Sequence, residues 1–533
     1  MRHIRRLLSE RKPINAKNGM VATSQPLASQ AGLDILKKGG NAIDAAIAVA
    51  ACLTVVEPTS NGIGGDNFAL VWHGENLYGL NSSGHAPLAW SLDYMNKNGL
   101  QEIPKYGFVP VTVPGAVAGW AEMHKRFGKL SFLEVLSPAI HYARNGFTVS
   151  PTVAQYWNLS NQIYKKNLKG PEFENWFDTF TKDGKAPDSG ETFFLKDHAN
   201  TLEDIAKTYG ESFYKGKLAD QIDAFSRKHQ GLIRKSDLAS FHAKWVTPIS
   251  INYKGYNVWE IPPNGQGAVA LMALNIVEGF KFKNSESISR IHHQVEAMKL
   301  AFADGHAYIS DPSSMKTDVE DLLSKTYSKQ RAKLIGPKAE IRTEGIPKSS
   351  GTVYFAVADQ EGNMVSMIQS NYMGFGSGLV VPNTGIALHN RGHNFSLDPN
   401  SDNCLSPGKR PYHTIIPGFL TKGKEAIGPF GVMGGFMQPQ GHLQVVMNMI
   451  DFDMDPQRAL DAPRWQWMEG NRITLEPGFK EVTIEGLIQK GHIVEIEQNL
   501  GSFGRGQIIF RDLITKVYQG GTEKRCDGTI SSY

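Results

Sequence analysis

Apolar positions change their spacing about two-thirds of the way along the chain. Before that point helical periods dominate. SQPLASQAGLDILKK starts with Pro26 and stops at Gly39 and Gly40, a proline-first, glycine-last pattern that predicts a helix. Residues 41–58, NAIDAAIAVAACLTVVEP, predict a second, buried helix: alanine-rich, with Asp44 near the start and Pro58 at the stop. TSNGIGGDNFALVW then reads as a glycine loop running into a strand, and LYGLN after the turn HGEN as its hairpin partner or a sheet edge. From about 115 to 330 helical patterns prevail, as in AVAGWAEMHKRFG, FLEVLSPAIHYARNG and ISRIHHQVEAMKLAFADGHAYI, with an insert rich in Asn, Lys and aromatics at roughly 155–195. PKAEIRTEGIPKSSG, 337–351, has no apolar period and predicts an exposed loop. Beyond it come short runs of strand composition, TVYFAVA, NMVSMIQS, GIALHN, TIIPGFL, AIGPFGVMGG, RITLEP, IVEIEQ and GQIIFRD. The helical run HLQVVMNMID lies among them. No repeat of 20 to 50 residues is present.

Composition narrows the class. Of 533 residues 41% are apolar and 20% charged, so the chain buries a sizeable core and disorder is excluded. Its 54 glycines exceed the usual share but show no triplet period. The net charge of +4 comes without a long basic run, so neither nucleic acid nor a strongly charged surface is implied as a partner. Cys52, Cys404 and Cys526 are far apart and odd in number, which argues against a disulfide framework and for a reducing compartment. MRHIRRLLSERKPINAKNG turns polar after two leucines, and no stretch has membrane-spanning character. A cytoplasmic location without membrane association is the expectation.

Common catalytic motifs are missing: there is no G-x-S-x-G and no HExxH. GFLTKGKE, 418–425, approaches a phosphate loop but has Glu425 at the hydroxyl position and falls in a hairpin pattern. NGIGGD follows a helix and lacks the dinucleotide fingerprint, so it reads as a tight turn. His292, His293 and Glu296 have helical spacing, more in keeping with a polar or partner-facing surface than with a metal site. No metal and no cofactor is expected.

Gly351-Thr352, where the loop meets the first of the late strands, admits two readings. A threonine opening a strand is commonplace. If the chain is cut before Thr352, however, that residue carries both a hydroxyl nucleophile and an α-amine to act as its base. With an α-amino pKa of about 7.7–8.0, roughly a tenth to a fifth of the amine is unprotonated at pH 7. Gly351 tolerates the strained backbone an internal acyl shift requires.

The ordered blocks GMVATSQPLASQAGLDILKKGGNAIDAAIA, VVEPTSNGIGGDNFALV, VPGAVAGW, ESFYKGKLA, PPNGQG, GTVYFAVADQEGNMVS, GFGSG, PGKRP, VMGG and DAPRW resemble the γ-glutamyltranspeptidase family of N-terminal nucleophile hydrolases from about residue 18 onward. The resemblance implies an α+β, four-layer αββα sandwich. It also implies one precursor that cuts itself into a large subunit, 1–351, and a small subunit, 352–533, which stay together as one domain. Carried over by motif, Thr352 is the processing residue and nucleophile, and Ser370 the second hydroxyl bonded to it. Gly434 and Gly435 align with the oxyanion-hole glycines, although a Gly-Gly pair by itself reads equally as a turn.

The chain also departs from the family pattern. Typical members hold the glutamyl α-carboxylate with an arginine, where LNSSGHAP has Ser83, with His85 next to the Ala-Pro. Arg391 replaces a glutamine, and Asn394 an aspartate that binds the substrate amino group. His413 and Thr414 replace two carboxylate-binding serines, and the stretch from Phe395 to Lys409 is shorter than the usual lid loop. These features resemble the lidless, cytoplasmic-type branch near the cephalosporin (glutaryl) acylases. Arg391 then reads either as a new carboxylate anchor or as a structural arginine. The expected activity is hydrolysis of γ-glutamyl compounds such as glutathione, favoured over transpeptidation. The alternatives are a glutaryl-type acylase and an unprocessed homologue that binds a small acyl or peptide ligand.

Overall fold

The computed structural model describes residues 11–342 and 352–533. Residues 1–10 and 343–351, with Gly351 and most of the expected loop 337–351, lie outside the described residues. The alanine-rich stretch forms the helix Ala42–Val56, and every one of its residues is buried. Its start is fixed by a capping box: Asn41 Oδ1 accepts from the Ile43 and Asp44 amides, both at 3.0 Å, while Asp44 receives the Asn41 amide. Pro26–Lys37 packs beside it.

Two seven-stranded antiparallel sheets form the centre. One runs, in spatial order, Ile14–Ala16, Tyr518–Thr522, Arg505–Arg511, Glu425–Met433, Gly418–Lys422, Tyr256–Glu260 and Ile249–Tyr253. The other runs Thr529–Ser532, Met20–Thr23, Val353–Ala358, Met364–Ser370, Asp66–His73, Asn76–Ser82 and Lys244–Val246. Three cores separate four layers. Val353, Phe355, Val357, Val365 and Met367 face the helices Ala42–Val56, Ala116–Phe127 and Phe132–Asn145. Tyr354, Ala356, Ile368, Phe68, Phe419 and Ile509 meet between the sheets. Phe430, Val432 and Ile508 face Gly267–Val277, Ile288–Tyr308 and Met437–Phe452. This is the expected αββα sandwich. Its central strands are covered on both faces, which is why TVYFAVA reads as an unbroken apolar run instead of an alternation.

Several local expectations need correction. Helices prevail over 115–330 as expected, but the short strands Lys244–Val246, Ile249–Tyr253 and Tyr256–Glu260 also lie there and supply both sheets. The segment 155–195 is itself partly helical: most of Pro151–Asn167 and the short helix Glu174–Phe180 lie in it, and Trp157 and Trp176 are buried in the helical core. GIALHN makes only isolated bridges, Val380 with Ala387 and Gly64 with Leu388. His292 and Glu296 are buried, not surface-facing. Among the described residues no helix is long and apolar enough to cross a membrane.

Candidate active site

Strand parity builds the site. Along Val353–Ala358, Tyr354 and Ala356 point into the gap between the sheets. A period of two therefore puts Thr352 on that side as well. Val353 pairs with Gln369, so Ser370 falls opposite Thr352, and their hydroxyls share a hydrogen bond of 3.0 Å. Ser370 in turn pairs across the next strand with Asp66. Both hydroxyl residues are fully buried.

Ser370 Oγ also accepts the Tyr372 amide at 2.8 Å and Arg391 Nη2 at 3.2 Å. Tyr372 adopts φ +73°, a left-handed conformation that costs a large side chain on the order of 1–3 kcal/mol. Its ring lies 4.4 Å from the Arg391 guanidinium carbon, and its hydroxyl donates to Asn394 Oδ1. Asn394 Nδ2 donates to the Tyr412 carbonyl at 3.0 Å. Arg391 is fully buried on the short turn Arg391–Asn394. Nη1 donates to Thr414 Oγ1 at 2.7 Å, and Nε has no partner among the described residues. Burial pulls its pKa down to about 10 while Asp66 opposes that pull, so the guanidinium stays charged at neutral pH.

His413 donates Nε2–H to Asp66 Oδ2 at 3.0 Å. Burial and the nearby Arg391 push its pKa down to about 3, leaving it neutral. Asp66 Oδ1 accepts the Gly84 and Gly115 amides at 3.2 and 3.1 Å, and His389 lies 3.4 Å from Oδ2. Burial works to raise the Asp66 carboxyl, yet His389, His413 and Arg391 together hold it below its ordinary value.

The strand Glu425–Met433 ends in a glycine turn that leads into Met437–Phe452. Tyr354 packs directly on Gly431, which sets the start of the Thr352 strand over the end of this one. Gly434 at φ +135° and Gly435 at φ +59° take conformations that side chains disfavour. The Gly434 carbonyl accepts from the Met437 amide at 3.0 Å. Since C=O and N–H of a trans peptide point opposite ways, that bond aims the Gly435 N–H away from the helix. The start of the helix adds its partial positive charge.

The sequence-derived residues thus gather unevenly. Thr352, Ser370, Arg391 and Thr414 form one hydrogen-bonded chain, with His413 and Asn394 each one residue or one ring removed. Ser83 is drawn elsewhere: its hydroxyl donates to Asn81 Oδ1 at 2.7 Å, and Asn264 Nδ2 lies 3.2 Å away. His85 bonds the Ala86 carbonyl. His292 Nδ1 contacts His492 Nε2 at 2.9 Å, and Glu296 is engaged by Lys299 Nζ at 2.7 Å, so an ammonium already takes that carboxylate. Asp66, Gln266 and Tyr372 were not singled out by sequence reasoning. Asp66 closes the glycine loop NGIGGD and Gln266 sits in PPNGQG, so the blocks were visible while the roles of their polar residues were not.

Stacked antiparallel sheets between helices, with a buried hydroxyl at the head of a central strand, define a hydrolase of the N-terminal nucleophile type. The chain belongs to the gamma-glutamyltranspeptidase family, whose model matches residues 28–533. It is 39% identical to the glutathione hydrolase-like YwrD proenzyme of Bacillus subtilis (strain 168), over 97% of this chain and 99% of that one. It is 33% identical to the glutathione hydrolase proenzyme of Escherichia coli (strain K12), over 92% and 88%. Its structure superimposes on the crystal structure of a cephalosporin acylase from Bacillus halodurans with a TM-score of 0.96 and 58% identity, covering 98% and 97% of the two chains.

Proposed function

We propose that the protein is a self-processing amide hydrolase in which Thr352 carries the acyl group, and that it acts on acyl amides ending in a carboxylate. The observation that carries this reading is the Thr352–Ser370–Arg391 chain: a nucleophile, a hydroxyl that orients it, and a buried cation, all within direct hydrogen bonds. In maturation, Thr352 Oγ attacks the Gly351 carbonyl, the peptide nitrogen leaves as the new α-amine, and water hydrolyses the resulting ester. In turnover, the α-amine takes the Oγ proton as Oγ attacks the substrate carbonyl. The amide C–N bond breaks with return of that proton to the leaving amine, and water releases the acid from the acyl-threonine. The Gly434 and Gly435 amides are suited to hold the oxyanion, a contribution typically of about 3–4 kcal/mol per donor.

For the acyl group we favour a glutaryl-type chain. Arg391 supplies a buried cation with a spare Nε donor for a terminal carboxylate. Asn394 is neutral and already bonded to Tyr372 and Tyr412, so it offers no charge to an α-ammonium. The second reading, γ-glutamyl compounds such as glutathione, is supported by the relatives named as glutathione hydrolases. Two measurements test the proposal. Intact mass is expected to give fragments 1–351 and 352–533 for the wild type and full-length chain for Thr352→Ala; identical behaviour of the two proteins rejects self-processing. Glutaryl and γ-glutamyl anilides are then compared, with kcat/KM expected to be higher for glutaryl. The reverse order assigns the enzyme to γ-glutamyl substrates.

A further inference from the structure

The glycine turn proposed to hold the oxyanion has no side chain to brace it, yet it is tied to the carboxylate-anchoring loop through one buried amide. Gln266 Nε2 donates to the Thr414 carbonyl at 2.6 Å and to the Gly435 carbonyl at 2.9 Å. Both neighbours are acceptors only, so the nitrogen end must face them, and the Tyr412 hydroxyl donates to Oε1 at 3.2 Å. The backbone of the same segment adds two bonds: Gln266 N–H donates to the His413 carbonyl at 3.0 Å, and His413 N–H to the Asn264 carbonyl at 2.8 Å. Gln266 is fully buried, and it comes from the large-subunit side of the processing point, whereas Thr414 and Gly435 come from the other.

Each carbonyl bond fixes one peptide plane. The Gly434 carbonyl, held by the Met437 amide, fixes the plane that carries the Gly435 N–H. The Gly435 carbonyl, held by Gln266 and by the Gln438 amide at 3.2 Å, fixes the next plane. Together these bonds define the φ and ψ of Gly435, a residue whose own sterics leave both angles free. An oxyanion donor is effective only when it is aimed before charge develops. We infer that Gln266 is a positioning residue: its side-chain amide sets the aim of the Gly434–Gly435 oxyanion turn and couples that turn to the loop on which Arg391 holds Thr414. The inference rests on the proposed acyl-Thr352 chemistry.

Gln266→Met in the processed enzyme tests it. Glutaryl p-nitroanilide turnover is expected to lose roughly 10- to 100-fold in kcat, less than the roughly 100- to 1000-fold cost of removing an oxyanion donor outright, because the donor is misaimed and not lost. KM and inhibition by glutarate should move by less than about twofold, because ground-state binding does not use the oxyanion. The boronic acid in which boron replaces the glutaryl acyl carbon forms a tetrahedral adduct with Thr352, and its affinity should fall by the same factor as kcat. Tyr412→Phe, which removes only the donor to Oε1, should show the same pattern at a few-fold. If Gln266→Met does not accumulate, Tyr412→Phe decides, and an unchanged kcat there overturns the inference. A parallel weakening of kcat, KM and glutarate binding overturns it too, since that marks a general loosening. The acyl-Thr352 adduct is first sought by mass in the wild type. Its absence rejects the proposed function and the inference with it, whereas its presence with an unaffected Gln266→Met rejects the inference alone.

Discussion

A guanidinium is the most difficult side chain to bury, and Arg391 is fully enclosed. Its stability there rests on the Tyr372 ring 4.4 Å away, on hydroxyl acceptors at Ser370 and Thr414, and on the nearby Asp66 carboxylate, which is itself held by two backbone amides and His413. None of these partners is a direct carboxylate, so a negative group on a substrate would find the cation incompletely neutralised. Lysine keeps the charge and loses the fork. In Arg391→Lys, kcat/KM for a glutaryl anilide is therefore expected to fall roughly 10- to 100-fold, the equivalent of one charged hydrogen bond of about 1.5–3 kcal/mol. The matching butyryl anilide, which has no carboxylate, should change by only a few-fold. Steady-state kinetics on the two anilides checks this, and an equal loss on both would reduce Arg391 to a structural arginine.

Among the elements, legibility followed locality. The helix Ala42–Val56 was readable because its cap, its apolar run and its stop lie within eighteen residues of sequence. The strand after Thr352 was readable because burial on both faces makes it uniformly apolar. The site was readable only where the family resemblance supplied an address. Asp66 closes what looks like a simple glycine turn, and its partner His413 is 347 residues away, beyond the reach of any local pattern. His292 and Glu296 misled because a polar helical stripe ordinarily faces water; here Lys299, one turn further on, neutralises Glu296 inside the protein. The strands at 244–260 stayed hidden because they border long helical stretches and are short. The strand pair Arg505–Arg511 and Tyr518–Thr522 depends on another non-local group. Glu523 accepts the Gly506 amide at 3.0 Å and pairs with Arg464 at 2.8 Å and Arg525 at 2.6 Å. Burial alone would raise its carboxyl, but the two guanidinium groups bring it down to about 2. A depressed carboxylate stabilises the fold above its unfolded pKa of about 4.3, and the benefit fades as pH falls from there toward 2. That loss amounts to about 3 kcal/mol. Thermal midpoints measured between pH 6 and 2 should therefore drop more steeply for the wild type than for Glu523→Gln, which begins less stable at neutral pH.

At the scale of the whole molecule, the processing point proposed before Thr352 would divide a chain whose two parts are interleaved. Val353–Ala358, at the start of the proposed small subunit, pairs on one side with Met20–Thr23 of the proposed large subunit. On the other side it pairs with Met364–Ser370, which pairs in turn with Asp66–His73. The last strand, Thr529–Ser532, returns to Met20–Thr23, so that large-subunit strand lies between two small-subunit strands. In the other sheet Ile14–Ala16 pairs with Tyr518–Thr522, and Gly418–Lys422 with Tyr256–Glu260. Across the same boundary run the buried ion pair Arg505–Glu57 at 3.0 Å and the Arg11–Asp461 pair. Cutting one peptide bond before Thr352 removes none of these contacts, and separating the subunits requires opening both sheets and the apolar layer between them. The two fragments are thus expected to co-elute as one species of the precursor's mass in buffer, including 1 M salt, which screens surface charges but not the buried core. They should part only across the same denaturant range in which tryptophan fluorescence reports unfolding. Size-exclusion chromatography with subunit mass determination across a urea series checks this coincidence. Dissociation well before the fluorescence transition would mean that the interleaved strands are not what holds the subunits together.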